Sequence, residues 1–341
     1  MISPASICPA AGPRVLALLS TDDACAWYRI VSPFSVLRDA GWPFEWMRWE
    51  QFHPDMLSRF DLLVLPRIKP GDMAMIDAIS QYPAVYEVDD DFTCTQERND
   101  LLESLWGVCR AVTVTTPALA DVMRPFNPEV FVLPNCLDLT VWNKNRRPVD
   151  GRVLIGITGG SNHYDDWKLV MPVLKEICRV HPEARIGPAG YLPDFMEKEL
   201  GPARIVKFPY VPYARLPETV CQFDIGIAPL ADTRFNKSKS PVKVLEYMAS
   251  GVPWVASAVG PYLTMPHGKT GFATASPDGF RDALELLICN PGLRSDLGAA
   301  GAVWVRKHAD IRNHAIHWVE TYQKVLGGQK ATARRSNHES F

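Results

Sequence analysis

The sequence has no long apolar run, no clustered cysteines and little net charge. Its longest apolar stretches fall well short of the roughly 20 residues that span a bilayer, so no transmembrane segment is expected. Eight cysteines are scattered along the chain, with no C-x-x-C and no spaced histidine partner. That pattern excludes a cysteine-based zinc site and a disulfide framework, and reduced thiols in a cytoplasmic protein are the default. A formal charge of −2 provides no global basic field to attract nucleic acid or anionic lipid. The opening MISPASICPAAGPR has no basic region leading into a long apolar one, so residues 1–13 read as a disordered leader rather than a signal peptide.

What is present is alternation. At 341 residues the chain is long enough for two domains with full cores. RVLALLS (14–20) reads as a buried parallel strand. The loop and helix after it carry Asp22, Asp23, Trp27, Tyr28 and Arg29 but no glycine-rich turn, so no Gly-cradled phosphate is expected in this half. In a doubly wound sheet this loop lies at the ligand-binding carboxyl edge. Tyr28 and Arg29 either contact a ligand there, or Tyr28 packs the helix start and Arg29 is a surface charge. FEWMRWE reads as an edge strand, FDLLVLPR as a buried strand and GDMAMIDAISQY as a helix. AVYEVDDDF is a strand ending in Asp89, Asp90 and Asp91. RAVTVTTPALADVMRPF reads as strand, turn and helix, and EVFVLPNCLDL as strand and turn.

The polar run NKNRRPVDG (143–151) reads as a linker. RVLIGITGGSNHYDDWKLVMPVLKEI then restarts the pattern with a strand, a Gly159-Gly160 turn and a helix that His163 can cap. Strands at ARIGPAG, RIVKFPYVP, DIGIAPL and WVAS follow, with helices near 276–287, 292–307 and 310–326. Repeated strand–helix units predict parallel sheets covered on both faces. The expected fold class is α/β, with two Rossmann-like domains at 14–148 and 149–309, a last helix at 310–326 and a disordered tail at 327–341.

Residues 236–253, NKSKSPVKVLEYMASGVP, hold the richest chemistry. Ser238 or Ser240 can cap a helix, with Pro241 at its first position. Val244, Leu245 and Met248 recur at helical spacing, and Gly251-Val252-Pro253 ends the run. Free N–H groups and the positive dipole end of such a helix suit a phosphate, and Lys239 and Lys243 add charge beside it. The plainer reading is a core helix with a solvated Lys/Glu face.

The run DIGIAPLADTRFNKSKSPVKVLEYMASGVPWVAS, followed by HGKTGF, resembles the nucleotide-sugar half of GT-B glycosyltransferases. The similarity is to the retaining group 1 (family 4) type, which carries two Glu residues with seven residues between them. The match covers most of 150–326, and 14–142 only loosely. TPALADVM with VFVLPNCLD resembles the end of a GT-B N-terminal domain, with Asn135 and Asp138 matching and Cys136 in place of Gly. The second Glu, which binds the donor ribose in that family, is Glu246. The first falls at Ser238, and the Gly that often follows it is Pro241. Both are departures, for which Lys239 and Lys243 can compensate. The Lys-Ser-Pro-x-Lys variant is similar to a recurrent sub-pattern of the family.

The resemblance implies a GT-B fold, two sheets facing across a cleft, with the 310–326 helix packing back on the N-terminal domain. It implies transfer of a sugar from a nucleoside diphosphate donor to an acceptor hydroxyl, with retention and without a metal or other cofactor. Lys239, Ser240, the Val242 backbone and Lys243 are then candidates for the diphosphate, Gly159 and Gly160 for the donor turn, and Asn236 for a sugar hydroxyl. Tyr28 and Arg29 are candidates for acceptor or diphosphate. Asp89 to Asp91 can hold a metal, as in GT-A enzymes, position or deprotonate the acceptor through Asp89 or Asp90, or merely cap. The C-terminal motif argues against the metal. His267 reads as structural. The acceptor is a glycan, a lipid-linked or a small molecule; Arg124, Lys144, Arg146 and Arg147 are too few to favour nucleic acid. A cytoplasmic location, with peripheral membrane association as a variant, fits. The competing readings are a GT-B epimerase or hydrolase, and a non-catalytic GT-B scaffold, which Ser238 keeps open.

Overall fold

The computed structural model describes residues 12–143 and 151–327; most of the expected leader, most of the linker with Lys144, Arg146 and Arg147, and the tail beyond 327 lie outside the described residues. Two parallel six-stranded sheets are present. The first has the order β2-β1-β3-β4-β5-β6, from Val15–Leu19 (β1), Phe44–Arg48 (β2), Leu62–Pro66 (β3), Ala84–Val88 (β4), Ala111–Val114 (β5) and Val130–Val132 (β6). The second has the order β12-β11-β10-β7-β8-β9, from Val153–Gly159 (β7), Ala184–Gly190 (β8), Phe208–Pro209 (β9), Ile225–Ala228 (β10), Trp254–Ser257 (β11) and Gly271–Thr274 (β12). This is the α/β pair of Rossmann-like domains.

Each sheet is covered on both faces, which explains why its central strands are apolar runs rather than alternating patterns. In β1, Val15, Ala17 and Leu19 pack in one cluster, and Leu16 and Leu18 in another. The first cluster includes Ile311, Trp318, Val319 and Tyr322, so the chain's last helical stretch lies against the N-terminal sheet. That stretch was expected as one helix; it is two, Ile311–His314 and Ile316–Gly327. Its side chains stack closely, with Phe34, Phe44 and Tyr322 rings within 6.4 Å of one another. In the second domain, Ile155, Ile157, Ile225 and Ile227 face the Tyr164–Val180 and Pro277–Cys289 helices.

The Val242–Ala249 helix is seated by one side chain. The ring of Tyr247 lies so close to β10 that a Cβ on Gly226 would come within 2.4 Å of it. Its hydroxyl donates to the Ile227 carbonyl at 2.9 Å and accepts from the Thr158 N–H at 3.2 Å. The helix is thereby pinned over the carboxyl ends of β7 and β10. No helix among the described residues is long and apolar enough to cross a membrane, and Cys25, Cys94, Cys136, Cys178 and Cys289 are free thiols.

Gly226→Ala should cost about 1–3 kcal/mol, because the methyl must displace a ring locked at both ends. Gly292→Ala, where an added Cβ meets nothing within 4 Å, should be neutral or slightly stabilising. Urea denaturation of the two variants checks the contrast.

Candidate active site

The carboxyl ends of the two sheets border a cavity of about 590 Å³, within the range of small-molecule sites. Asp23, Cys25, Tyr28, Arg67, Asp89 and Asp90 line it from the first domain. Gly159, Gly160, His163, Lys239, Ser240, Val242, Lys243 and Glu246 line it from the second. Cross-domain bonds hold the walls together: Thr116 Oγ1 donates to the Ser238 carbonyl at 2.7 Å, Asn135 Nδ2 to Ser240 Oγ at 2.8 Å, and Arg234 pairs with Asp91 at 3.1 Å.

The helix behind the lysines starts differently from the expected arrangement. Pro241 is the residue before the first turn, and no side chain caps it. Ser238 instead ends a short helix, Arg234–Ser238, and donates to the Phe235 carbonyl at 2.9 Å; Ser240 is bound to Asn135. An uncapped start leaves first-turn N–H groups for a ligand. Lys239 is buried, its ammonium 4.7 Å from the Phe235 ring centroid. Burial lowers the Lys243 pKa; Glu246 pulls it back up, and Lys239 adds to the fall. A buried cationic corner of this kind is stabilised by an incoming anion.

Glu246 is buried, and burial raises its pKa against the opposing pull of Lys243 and Tyr28. Tyr28, from the other domain, donates its hydroxyl to Glu246 Oε1. Tyr28 sits in a π-helical turn, Trp27–Val31, a local insertion common at functional sites. The neighbouring Trp27 stacks on Tyr213 at 5.2 Å, and Trp142 Nε1 donates to the Tyr213 hydroxyl at 2.8 Å. Tyr28 therefore lines the cavity. Arg29 does not line this cavity and is not a surface charge. It is buried against Glu87 at 2.8 Å and Asn135 at 2.9 Å, with the Leu133 carbonyl as a further partner. Its guanidinium also lies 5.6 Å from the Trp318 ring centroid. A cation committed to that many partners ties the last helix and the β6 turn to β4, so its expected role at acceptor or diphosphate is replaced by a structural one.

His163 was read as a cap, yet it makes no capping bond. Its Nδ1 lies 2.8 Å from Asp166 Oδ2, and Asp166 Oδ1 accepts from Ala231 N and Asn236 Nδ2, both at 2.8 Å. Asn236 gives its other hydrogen to the Ala231 carbonyl at 3.0 Å. It is not among the cavity-lining residues, so its amide orients Asp166 in place of the sugar contact expected of it. The imidazole pKa is pushed down to about 4 by burial first, with Lys243 and Lys239 adding to the fall and Asp166 opposing it. A Cβ on Gly159 would lie 2.9 Å from His163 Cδ2, so the Gly-Gly turn provides the room this ring needs. The sequence signal for the trio was available only in part: the His163–Asp166 spacing is helical, but Asn236 is brought in by the fold.

The three carboxylates separate. Asp91 is buried, accepts from Thr93 and pairs with Arg234, which makes it a cap and a cross-domain tie. Asp89 and Asp90 line the cavity. Asp89 Oδ1 has no hydrogen-bond partner among the described residues, with Arg67 Nε 3.8 Å away. Burial and Asp89 push the Asp90 carboxyl up to about 6, against the pull of Lys239, Arg67 and Lys243. No group of three or more His, Cys, Asp or Glu among the described residues can hold a metal ion. His267 supports the turn below the site, its Nδ1 accepting from Ala273 N at 3.0 Å.

Residues 153–290 match the family model for glycosyl transferases group 1. This domain belongs to the group 1 glycosyltransferases. Similar solved structures extend the fold to the whole described chain. A UDP complex of Anabaena Alr3699/HepE aligns at 13% identity and TM-score 0.65, covering 91% of this chain and 100% of that one. Sucrose-phosphate synthase from Thermosynechococcus elongatus aligns at 13% and 0.63, over 92% and 99%. A glycosyltransferase from Rickettsia africae aligns at 10% and 0.68, over 93% and 99%. The fold is GT-B. No curated protein matches the sequence.

In the group 1 domain, a His163 pKa near 4 means that the ring stays neutral at about pH 5.5, where an ordinary imidazole of pKa 6.5 is mostly charged. Because the folded value is below the unfolded one, the stability this provides is full above about 6.5 and lost as pH falls toward 4. An NMR titration of the imidazole carbons, with His163→Asn to assign the signal, should show no charging until well below pH 5.5.

Proposed function

We propose that this chain transfers a sugar from a nucleoside diphosphate sugar to an acceptor hydroxyl, with retention and without a metal ion. The observation that carries the reading is one cavity in which Lys239, Lys243, an uncapped helix start and Glu246 converge. Breaking the anomeric bond sends an electron pair to the leaving diphosphate and builds positive charge on the sugar. Two ammonium groups and a helix dipole are suited to the departing anion. Glu246, with one oxygen held by Tyr28, has its second oxygen for a ribose hydroxyl.

Asp90 is the carboxylate suited to the acceptor. It lines the same cavity as Lys239 and Lys243 and lies within their electrostatic reach, so a hydroxyl bound there would lie near the departing diphosphate. Retention is carried by the family resemblance. His163, neutral and fixed through Asp166, presents an uncharged imidazole beside the sugar. The similarity to a protein crystallised with UDP makes UDP the first nucleotide to test.

Ser238 favours one competing reading. It is buried with its hydroxyl turned to Phe235, so no carboxylate comes from the position where the family places its first Glu. A non-catalytic nucleotide-binding protein would tolerate that.

Calorimetry with UDP, GDP and ADP in EDTA should show one nucleotide binding, with affinity at least about tenfold weaker in Glu246→Ala, the loss of a hydrogen bond to a charged group. Hydrolysis or transfer of the matching nucleotide sugar separates enzyme from scaffold. Binding only with Mg²⁺, insensitive to Glu246, would overturn the donor site as drawn.

A further inference from the structure

Beside the main cavity lies a second hollow of about 340 Å³, over the carboxyl ends of β1, β2 and β3. Its walls are Ser20, Thr21, Trp49, Glu50, Ile68 and Lys69, and the two spaces share Arg67. Arg67 turns the chain there with a φ of +53°, a backbone cost that tends to cluster at ligand sites. Trp49 opens the turn straight after β2 and is half-buried, its ring 6.0 Å from that of Phe52.

An indole fixed at the edge of a hollow, with hydroxyls, a carboxylate and an ammonium around it, suits a sugar ring. The C–H face of a pyranose lies on the aromatic surface while its hydroxyls exchange hydrogen bonds with the polar rim. Charge narrows the ligand further. Arg67 is 3.8 Å from both Asp23 and Asp89. Lys69 is 3.2 Å from Glu97. Arg48, at the rim, lies 3.3 Å from Glu50 and 3.4 Å from Asp22. Each of these three cations is thus already paired with a carboxylate. That differs from the Lys239–Lys243 corner, where two ammonium groups lie together, and it leaves little uncompensated positive charge to favour a phosphorylated or otherwise anionic acceptor.

We propose, resting on the glycosyltransferase reading above, that the Trp49 hollow is a second acceptor subsite and that the acceptor is an uncharged oligosaccharide. One sugar unit sits at Asp89 and Asp90, where transfer takes place, and the next lies past Arg67 against Trp49. The enzyme then extends an existing chain rather than glycosylating a single sugar or a phosphate-bearing carrier.

The test uses saturation-transfer NMR on the full chain with UDP present. The probes are maltose, cellobiose, lactose and chitobiose, set against glucose and glucose 6-phosphate. At least one disaccharide should bind more tightly than glucose or its phosphate. Its affinity should fall about tenfold in Trp49→Ala, by loss of one aromatic contact, and survive in Trp49→Phe, with UDP affinity unchanged in both. If Trp49→Ala does not fold, Glu50→Gln and Lys69→Met on the same wall take its place. The proposal fails if glucose 6-phosphate binds best, if no disaccharide binds while UDP does, or if the wall variants leave disaccharide affinity intact. A wild-type protein that binds no nucleotide at all would instead break the donor-site reading.

Discussion

Two lysines held together at the start of an uncapped helix are the constraint around which this cleft is arranged. Like charges placed side by side away from water are costly, and the fold contains that cost rather than removing it. Phe235 lies beneath the Lys239 ammonium, and Glu246 sits within electrostatic reach of Lys243. Burial first, and this field after it, keep His163 neutral, and the field opposes the rise in the Asp90 pKa that burial brings. An anionic ligand would offset the excess charge of the two lysines.

The second feature is that neither domain completes the site alone. Glu246 belongs to the C-terminal domain, but its hydrogen-bond partner Tyr28 comes from the first. Ser240 is held by Asn135, and Asp91 by Arg234. Arg29, next to Tyr28, anchors the base of that segment to Glu87 and to the helix that crosses back from the chain's end. The π-helical turn lets neighbouring residues serve opposite tasks, with Tyr28 facing the cleft and Arg29 the core.

Much of the fold was legible because parallel strands buried on both faces leave a plain mark. RVLALLS, FDLLVLPR and AVYEVDDDF contain β1, β3 and β4, and FEWMRWE contains the edge strand β2. The strand, turn and helix read in RAVTVTTPALADVMRPF are β5 and the Pro117–Met123 helix, whose cap Thr116 accepts from Leu119 N at 3.1 Å. Less was legible where a short helix has no periodicity to show. Arg234–Ser238 displaced the expected Ser cap. The Asp100–Val108 helix, capped by Asn99, passed unread although its amphipathic pattern is present. In the site, that Lys239, Lys243 and Glu246 line one cavity follows what was expected of them, the lysines from the helix-start pattern and Glu246 from the family resemblance. Arg29, Asn236 and Asp91 were not legible, because what decides their roles is a partner distant in sequence: Glu87, Asp166 and Arg234. Local spacing has no information about those pairings.

The most direct check on the central claim is a crystal structure of the chain with UDP, grown in EDTA. The account predicts the diphosphate within hydrogen-bond distance of the Lys239 and Lys243 ammonium groups and the first-turn N–H groups at Val242, with the ribose on Glu246. A nucleotide bound elsewhere, or a diphosphate seen only on a metal held by Asp89 and Asp91, would contradict it.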